Sequence, residues 1–406
     1  MKYLYILLII KLFKTIAAGQ YSISNIDMSN SPITANEIFT VKFFNNAMWI
    51  GTWLNGLCHI TDNKWTILRS DSIKTTGNNI IDIHKDKKGN IWLVDYAFFS
   101  GASVVRYNGI SWEVLTPFNE PNTQVTGISE DKNGNLWFQT YGAGIYFYNL
   151  NKQIWTHLTL NNSGLFNYSI RCIAIDNDNK KWIGHYDGGF DIFNDTTWTN
   201  HFGDIELSVE TIAFGDSNLV WVGTSYNGII LLDSATTYLD THNSPLPSNS
   251  IKVIKIDSKG RVWIGTEKGL IIKDGNNWIT FKDSPLLNTE IRDITFENDS
   301  SIWLSSWGKG LIHLVPNQTT KINQVLANEL LLFPNPFIDG INISTLGKNT
   351  VNQIDILTID GNLIISKTLG ENHFIDLIEL PSGIYFAKIY FDNVYCIKKL
   401  IKNSGL

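Results

Sequence analysis

All-β is the fold class this sequence predicts: a seven-bladed β-propeller closed by an N-terminal strand, followed by a small immunoglobulin-like β-sandwich. Three observations predict it. A tryptophan inside a short apolar strand recurs seven times at nearly constant spacing. Each unit holds four short strand patterns separated by Gly, Asn and Asp turns. A last stretch of alternating apolar residues follows a polar linker.

The recurring strands read AMWIGT, NIWLVD, NLWFQT, KKWIGH, LVWVGT, RVWIGT and SIWLSS, centred on Trp49, Trp92, Trp137, Trp182, Trp221, Trp263 and Trp303. Their spacings are 43, 45, 45, 39, 42 and 40 residues, the mark of a repeat architecture. Before each lies a strand of pattern I-x-x-I, such as Ile170-Arg171-Cys172-Ile173, and a polar turn such as DKNGN at 131–135. After it come a Gly-rich turn, a third strand such as GLIIKDG at 269–275, and a fourth strand marked by Trp65, Trp112, Trp155, Trp198, Tyr238 or Trp278. The signature tryptophans are expected to fill the space between adjacent blades. The seventh unit lacks its fourth strand. Tyr21 to Ile33 (YSISNIDMSNSPI) resembles the fourth strand and loop of unit five, YLDTHNSPL at 238–246. The N-terminal segment is therefore expected to complete the last blade and remove exposed sheet edges. The propeller is placed at 20–316, a linker at 317–329 and the C-terminal domain at 330–406.

Composition narrows the function. The 406 residues carry 32 Lys and Arg against 38 Asp and Glu, a net charge of −6. This gives no basic footprint for nucleic acid. Hydrophobic residues make up 43% and there are 14 Trp, which excludes global disorder. Cys58, Cys172 and Cys396 form neither a disulfide framework nor a zinc-type pair. Residues 1–19 read as a signal peptide: Lys2, the apolar run Leu4 to Ile10, then Ala17-Ala18-Gly19, with cleavage after Ala18 or Gly19. Lys11 and Lys14 break the run, so a retained transmembrane helix is not expected. The mature chain is expected to be exported, extracellular or attached to the outer cell surface.

Two families are resembled. The W-I-G-T…G-L signature after I-x-x-I-x-x-D-x-x-G resembles the two-component regulator propeller repeat, over about 290 residues of this chain. That family forms the sensory propellers of bacterial hybrid receptors, many of them glycan-responsive. The 406 residues hold no kinase core or receiver domain, so signalling is not carried over. Phe333-Pro334-Asn335-Pro336, Asp360-Gly361, Leu380-Pro381-Ser382-Gly383-Ile384-Tyr385 and Lys398-Lys399-Leu400-Ile401 resemble the type A sorting domain of type IX secretion substrates. This resemblance implies the type IX machinery as a partner, and passage across the outer membrane.

Catalytic motifs are scarce: no G-x-S-x-G, H-E-x-x-H or P-loop occurs. No cofactor and no metal is expected, and the D-x-x-x-G turns read as turn chemistry rather than calcium loops. Two constellations stand out instead. Four residues after the signature tryptophans come Trp53, Tyr96, Tyr141, Tyr186, Ser225 (with Tyr226 next), Glu267 and Trp307. This loop position borders one mouth of a propeller's channel, where aromatic faces suit sugar rings or apolar and cationic groups. The same aromatics packing between neighbouring loops is the alternative. The second position of the I-x-x-I strand reads Phe39, Ile81, Thr126, Arg171, Glu210, Lys252 and Arg292. The four charged residues are expected to face the water-filled channel or pair with one another. Arginine forks there suit a carboxylate or sulfate. Phe98 and Phe99, in an insertion, are expected as a wall over the mouth or an interaction patch.

The expected function is a non-catalytic binding module for a glycan, peptide or partner protein, using Trp53, Tyr96, Tyr141, Tyr186, Tyr226, Trp307, Arg171, Glu210, Lys252 and Arg292. The alternative is a polysaccharide-acting lyase or hydrolase, for which Glu210 and Glu267 are the acids at the two flagged positions.

Overall fold

The computed structural model describes residues 14–17, 21–62, 64–96, 102–115, 123–203, 205–282, 284–316, 330–345, 351–359, 361–369, 373–391 and 394–403. The insertion carrying Phe98 and Phe99, the linker at 317–329, Asp360 and most of the leader lie outside them. The chain divides into two units, residues 1–316 and 317–406.

The first unit is built from seven antiparallel four-stranded sheets among the described residues. The first sheet runs Ile38–Phe44, Ala47–Thr52, Leu57–Thr61 and Lys64–Leu68 in chain order. The next five begin at Ile80–Lys85, Gln124–Glu130, Ile170–Ile175, Val209–Phe214 and Ile251–Ile256. The seventh takes Ile291–Asn298, Ser301–Ser306 and Leu311–Pro316 from its own unit. Its outer strand is Tyr21–Ile26, which pairs antiparallel with Leu311–Pro316. The sixth sheet alone gains a fifth strand among the described residues, Lys14–Ala17, parallel to Asn277–Thr280.

The I-x-x-I pattern has a physical cause. Side chains alternate faces along a strand, so two core residues normally stand two or four apart. In all seven sheets the register slips between the first and third residues of the I-x-x-I pattern. One extra residue in the bulge stretches the interval to three and re-aims the residue between. Ile38 and Val41, Ile170 and Ile173, and Ile291 and Ile294 are all buried as a result. The bulged residue is the second-position residue in every sheet.

Adjacent sheets interlock through these first strands. Asp82 Oδ2 accepts from Ile128 N at 2.9 Å, and Thr211 Oγ1 accepts from Ile254 N at 3.3 Å. Asp293 Oδ2, in the seventh sheet, accepts from Val41 N of the first at 3.2 Å. Ser305 Oγ donates to Phe39 O at 3.2 Å across the same junction. The signature tryptophans pack onto the following sheet: Trp92 meets Phe138 and Tyr148, Trp137 meets Phe193, and Trp182 meets Phe214. Their indole N–H groups are held from behind. Trp92, Trp182 and Trp263 donate to Asp86, Asp176 and Asp257 at 2.8, 2.9 and 2.9 Å. The other oxygen of each turn aspartate accepts a backbone N–H four residues on. Those carboxylates are engaged in turn and core chemistry.

The C-terminal unit stacks two sheets over one core. Gln353–Leu357 lies between Leu363–Thr368 and Gly383–Phe391, and Val394–Lys402 completes that sheet. Leu330–Phe333, Gly340–Thr345 and Phe374–Asp376 form the other. Ile341, Ile354, Ile356, Ile375, Ile389 and Leu400 fill the space between them. The quoted motifs bond to one another. Asn335 Nδ2 donates to Lys399 O at 2.8 Å, and Asn335 Oδ1 accepts from Ile401 N at 2.9 Å. Tyr385 Oη donates to Pro381 O at 2.8 Å.

Candidate functional site

The two constellations read from the sequence meet in one place. The backbone N–H groups of Trp53, Tyr96, Tyr186, Ser225, Glu267 and Trp307 each donate to the residue just before the first strand of their own sheet: Glu37, Asn79, Ser169, Ser208, Ser250 and Glu290. The loop position is thereby pinned beside the start of the bulged strand. In four sheets the loop and bulge side chains touch. Phe39 packs on Trp53 with ring centroids 5.4 Å apart. The Arg171 guanidinium lies 4.4 Å from the Tyr186 ring centre, and that of Arg292 lies 4.3 Å from that of Trp307. Ser225 Oγ donates to Glu210 Oε1 at 2.5 Å.

Around the first, second and seventh sheets the aromatics pack on each other. Trp53 meets Trp307 at 5.9 Å and Tyr96 at 6.5 Å. Phe39 meets Trp307 at 5.5 Å, and Arg292 also lies 5.1 Å from the Phe39 ring. Trp53, Tyr96 and Trp307 are half-buried. Around the third to fifth sheets the rim is open. Tyr141 and Tyr186 meet edge to face at 5.4 Å yet remain 49% and 41% exposed, and Tyr226 stands 78% exposed.

The charges are paired more closely than the sequence suggests. Arg171 Nε lies 3.5 Å from Glu210 Oε1, and Arg292 binds Glu290 at 2.8 Å. Burial lowers the Arg292 pKa below the usual arginine value, while Glu290 and Glu210 oppose that shift. Glu290, one residue before the seventh I-x-x-I strand, escaped the sequence reading. It reduces the expected positive excess. Lys252 makes no ion pair among the described residues, and Glu267 is exposed.

A second charged cluster sits on the same strands, one and three residues past the bulge. Lys42 Nζ lies 2.7 Å from Asp293 Oδ2 and 3.9 Å from Asp82 Oδ1. Asp293 also accepts from Thr40 Oγ1 at 2.8 Å. Although burial opposes ionisation, Lys42 and Lys255 together hold the Asp293 carboxyl below its ordinary value. Lys42 is raised against its own burial by Asp293 and Asp82. Lys255 is lowered by desolvation and by Lys42.

Comparisons with known proteins agree with this architecture. Residues 331–403 match the secretion system C-terminal sorting domain, and residues 119–142 and 245–268 match the two component regulator propeller. A histidine kinase, P4, of Formosa agariphila is 28% identical over 187 residues, 42% of this chain and 13% of the kinase. Among solved structures, the extracellular domain assigned to a hybrid two component system of B. thetaiotaomicron superposes with TM-score 0.62 at 17% identity, covering 95% of this chain and 57% of that one. PorZ, a surface component of the type-IX secretion system of Porphyromonas gingivalis, gives 0.54 at 16% identity over 92% of this chain and 61% of its own. Virginiamycin B lyase of Staphylococcus aureus gives 0.58 at 16% identity over 73% of this chain and 99% of the lyase. These likenesses speak for a propeller fold. The chain spans about an eighth of the kinase and a little over half of the hybrid-system domain. No helix among the described residues is long and apolar enough to cross a membrane. The chain carries two component regulator propeller repeats followed by a type IX C-terminal sorting domain, which directs it to the cell surface or the extracellular space.

Proposed function

We propose that the seven sheets close into one seven-bladed propeller over residues 20–316. Residues 330–406 form an immunoglobulin-like sorting domain reached through the linker, and residues 1–19 are a cleaved signal peptide. The propeller is a non-catalytic recognition module, delivered outside the cell, that holds a glycan at the channel mouth. Trp53, Tyr96, Tyr141, Tyr186, Tyr226 and Trp307 form its aromatic rim, and Arg171, Glu210, Lys252 and Arg292 its polar floor.

One observation carries this reading: Tyr141, Tyr186 and Tyr226 stay well exposed, and the Arg171 that pairs with Glu210 stacks on Tyr186. Stacked C–H faces and hydrogen bonds from a guanidinium and a carboxylate are what a sugar ring uses. With Arg171 and Arg292 both paired, the site favours neutral or weakly acidic sugars over densely sulfated ones. Glycan-array binding by the full exported chain tests it. Binding that falls at least tenfold in the Tyr141→Ala, Tyr186→Ala double variant is expected. Silence on the array, or binding indifferent to that variant, rejects the glycan reading.

The enzymatic alternative draws on the fold shared with virginiamycin B lyase. Glu210 is engaged by Arg171 and Ser225, which supports an organising role for it. Polysaccharide cleavage that disappears in Glu210→Gln would reinstate the alternative.

A further inference from the structure

The sixth sheet carries a feature that the mouth does not use. A cavity of about 190 Å³ lies beside its outer end. Leu246, Leu270, Phe281 and Leu286, all buried, supply its apolar lining. Lys268 and Lys282 line it as well, both exposed. Neither is ion-paired among the described residues, so the cavity pairs an apolar floor with two free cations.

A sheet edge leads into it. Thr280 ends the outermost strand, Asn277–Thr280, and itself lines the cavity. Along that strand lies Lys14–Ala17, running parallel, with Ala17 opposite Thr280. This segment belongs to the expected leader. Its removal on export returns a row of backbone donors and acceptors to solvent, a template for another strand. Parallel addition fixes direction: the C-terminal end of an added strand points toward Thr280 and the two lysines.

We propose that this edge and cavity form a docking site for an extended peptide. The peptide adds as a parallel strand along Asn277–Thr280, places an apolar side chain in the cavity, and sets a carboxylate against Lys268 and Lys282. Main-chain hydrogen bonds supply affinity in this mode, and the pocket with its charges supplies selectivity. The carboxylate is the peptide's own C-terminus, which parallel addition brings toward Thr280 and the two lysines.

Fluorescence anisotropy with the exported chain lacking residues 1–19 tests this, using a fluorescein-labelled peptide Lys-Thr-Ile-Ala-Leu. Three forms are compared: free C-terminus, C-terminal amide, and an amide extended by one Glu. Saturable binding of the free acid is expected, at least tenfold weaker for the plain amide. The Glu-extended amide should bind no better than the plain amide, and its binding as tightly as the free acid would overturn the chain-end assignment. Lys268→Glu with Lys282→Glu should weaken the free acid at least tenfold. Lys268→Arg with Lys282→Arg should retain it. Tyr186→Ala, at the mouth, should leave it unchanged, which separates this site from the glycan reading. No saturable binding, equal binding of acid and plain amide, or loss with Tyr186→Ala would overturn the proposal.

Discussion

One repeat position does two different jobs on two arcs of the sheet series. On the first, second and seventh sheets, Trp53 and Trp307 interlock with Phe39, Tyr96 stacks on Trp53, and Arg292 stacks on Phe39 and Trp307. On the third to fifth sheets, Tyr141, Tyr186 and Tyr226 keep their faces toward water. The inner strands follow the same division. The packed arc holds Lys42, Asp82 and Asp293, whereas the third residue of the strand on the open arc is Gly127, Cys172 or Thr211. An aromatic at a fixed repeat position is thus not a binding residue by position alone. Its neighbours decide: Phe39 packs against both Trp53 and Trp307, and no aromatic bulge residue stands on the third to fifth sheets.

The largest expected effect strikes the packed arc. Asp293→Ala removes the partner of half-buried Lys42 and an acceptor for Val41 N between the first and seventh sheets. Breaking a buried pair from one side costs about 3–5 kcal/mol. Thermal or denaturant unfolding should show a loss of that size. A loss below about 1 kcal/mol would mean that Asp293 does not lock this junction. Acid should act through the same group. The Asp293 carboxyl is depressed in the folded chain, so its contribution is complete above the ordinary carboxylate value of about 3.9. It is lost as pH falls through the lower folded value. Asp293→Asn should flatten the stability profile below about pH 4 and leave its shape above that unchanged.

The next contrast compares single rings. Trp307→Ala removes three packed partners, and truncating a half-buried aromatic should cost about 2–3 kcal/mol. Tyr186→Ala should cost under about 1 kcal/mol, since it loses chiefly one edge contact and the Arg171 stack. Ligand binding should rank the two the other way, with Tyr186→Ala the more damaging. Equal stability losses would erase the distinction between the arcs.

Much of this architecture was legible because the repeat multiplies weak signals. A single I-x-x-I means little. Seven of them, each followed by a turn and a tryptophan, define the inner strand and the sheet order. The interval of three between core residues was legible too, but only the paired register shows the extra bulged residue that causes it. Glu290 and the Lys42, Asp82, Asp293 cluster were not found, because they lie beside the flagged positions and make contacts between sheets distant in sequence. The difference between packed and open aromatics was equally hidden. It depends on Phe39, which packs against both Trp53 and Trp307 and has no aromatic counterpart among Thr126, Arg171 and Glu210.

The smallest expected effect is a chemical one, on the open arc. Cys172 stands at the third position of the fourth inner strand, where the seventh has Asp293. Burial pushes its thiol up to about 12, and Sγ donates to Val209 O of the fifth sheet at 3.8 Å. The thiolate is the reactive form, so iodoacetamide at pH 8 should leave Cys172 unmodified in the folded chain and label it fully in denaturant. Peptide mapping separates it from Cys58 and Cys396, which burial also raises. Labelling of native Cys172 within minutes would mean that the fourth and fifth sheets part locally. The open arc would then be a moving surface, and the exposure of Tyr186 would reflect that motion rather than a preformed site.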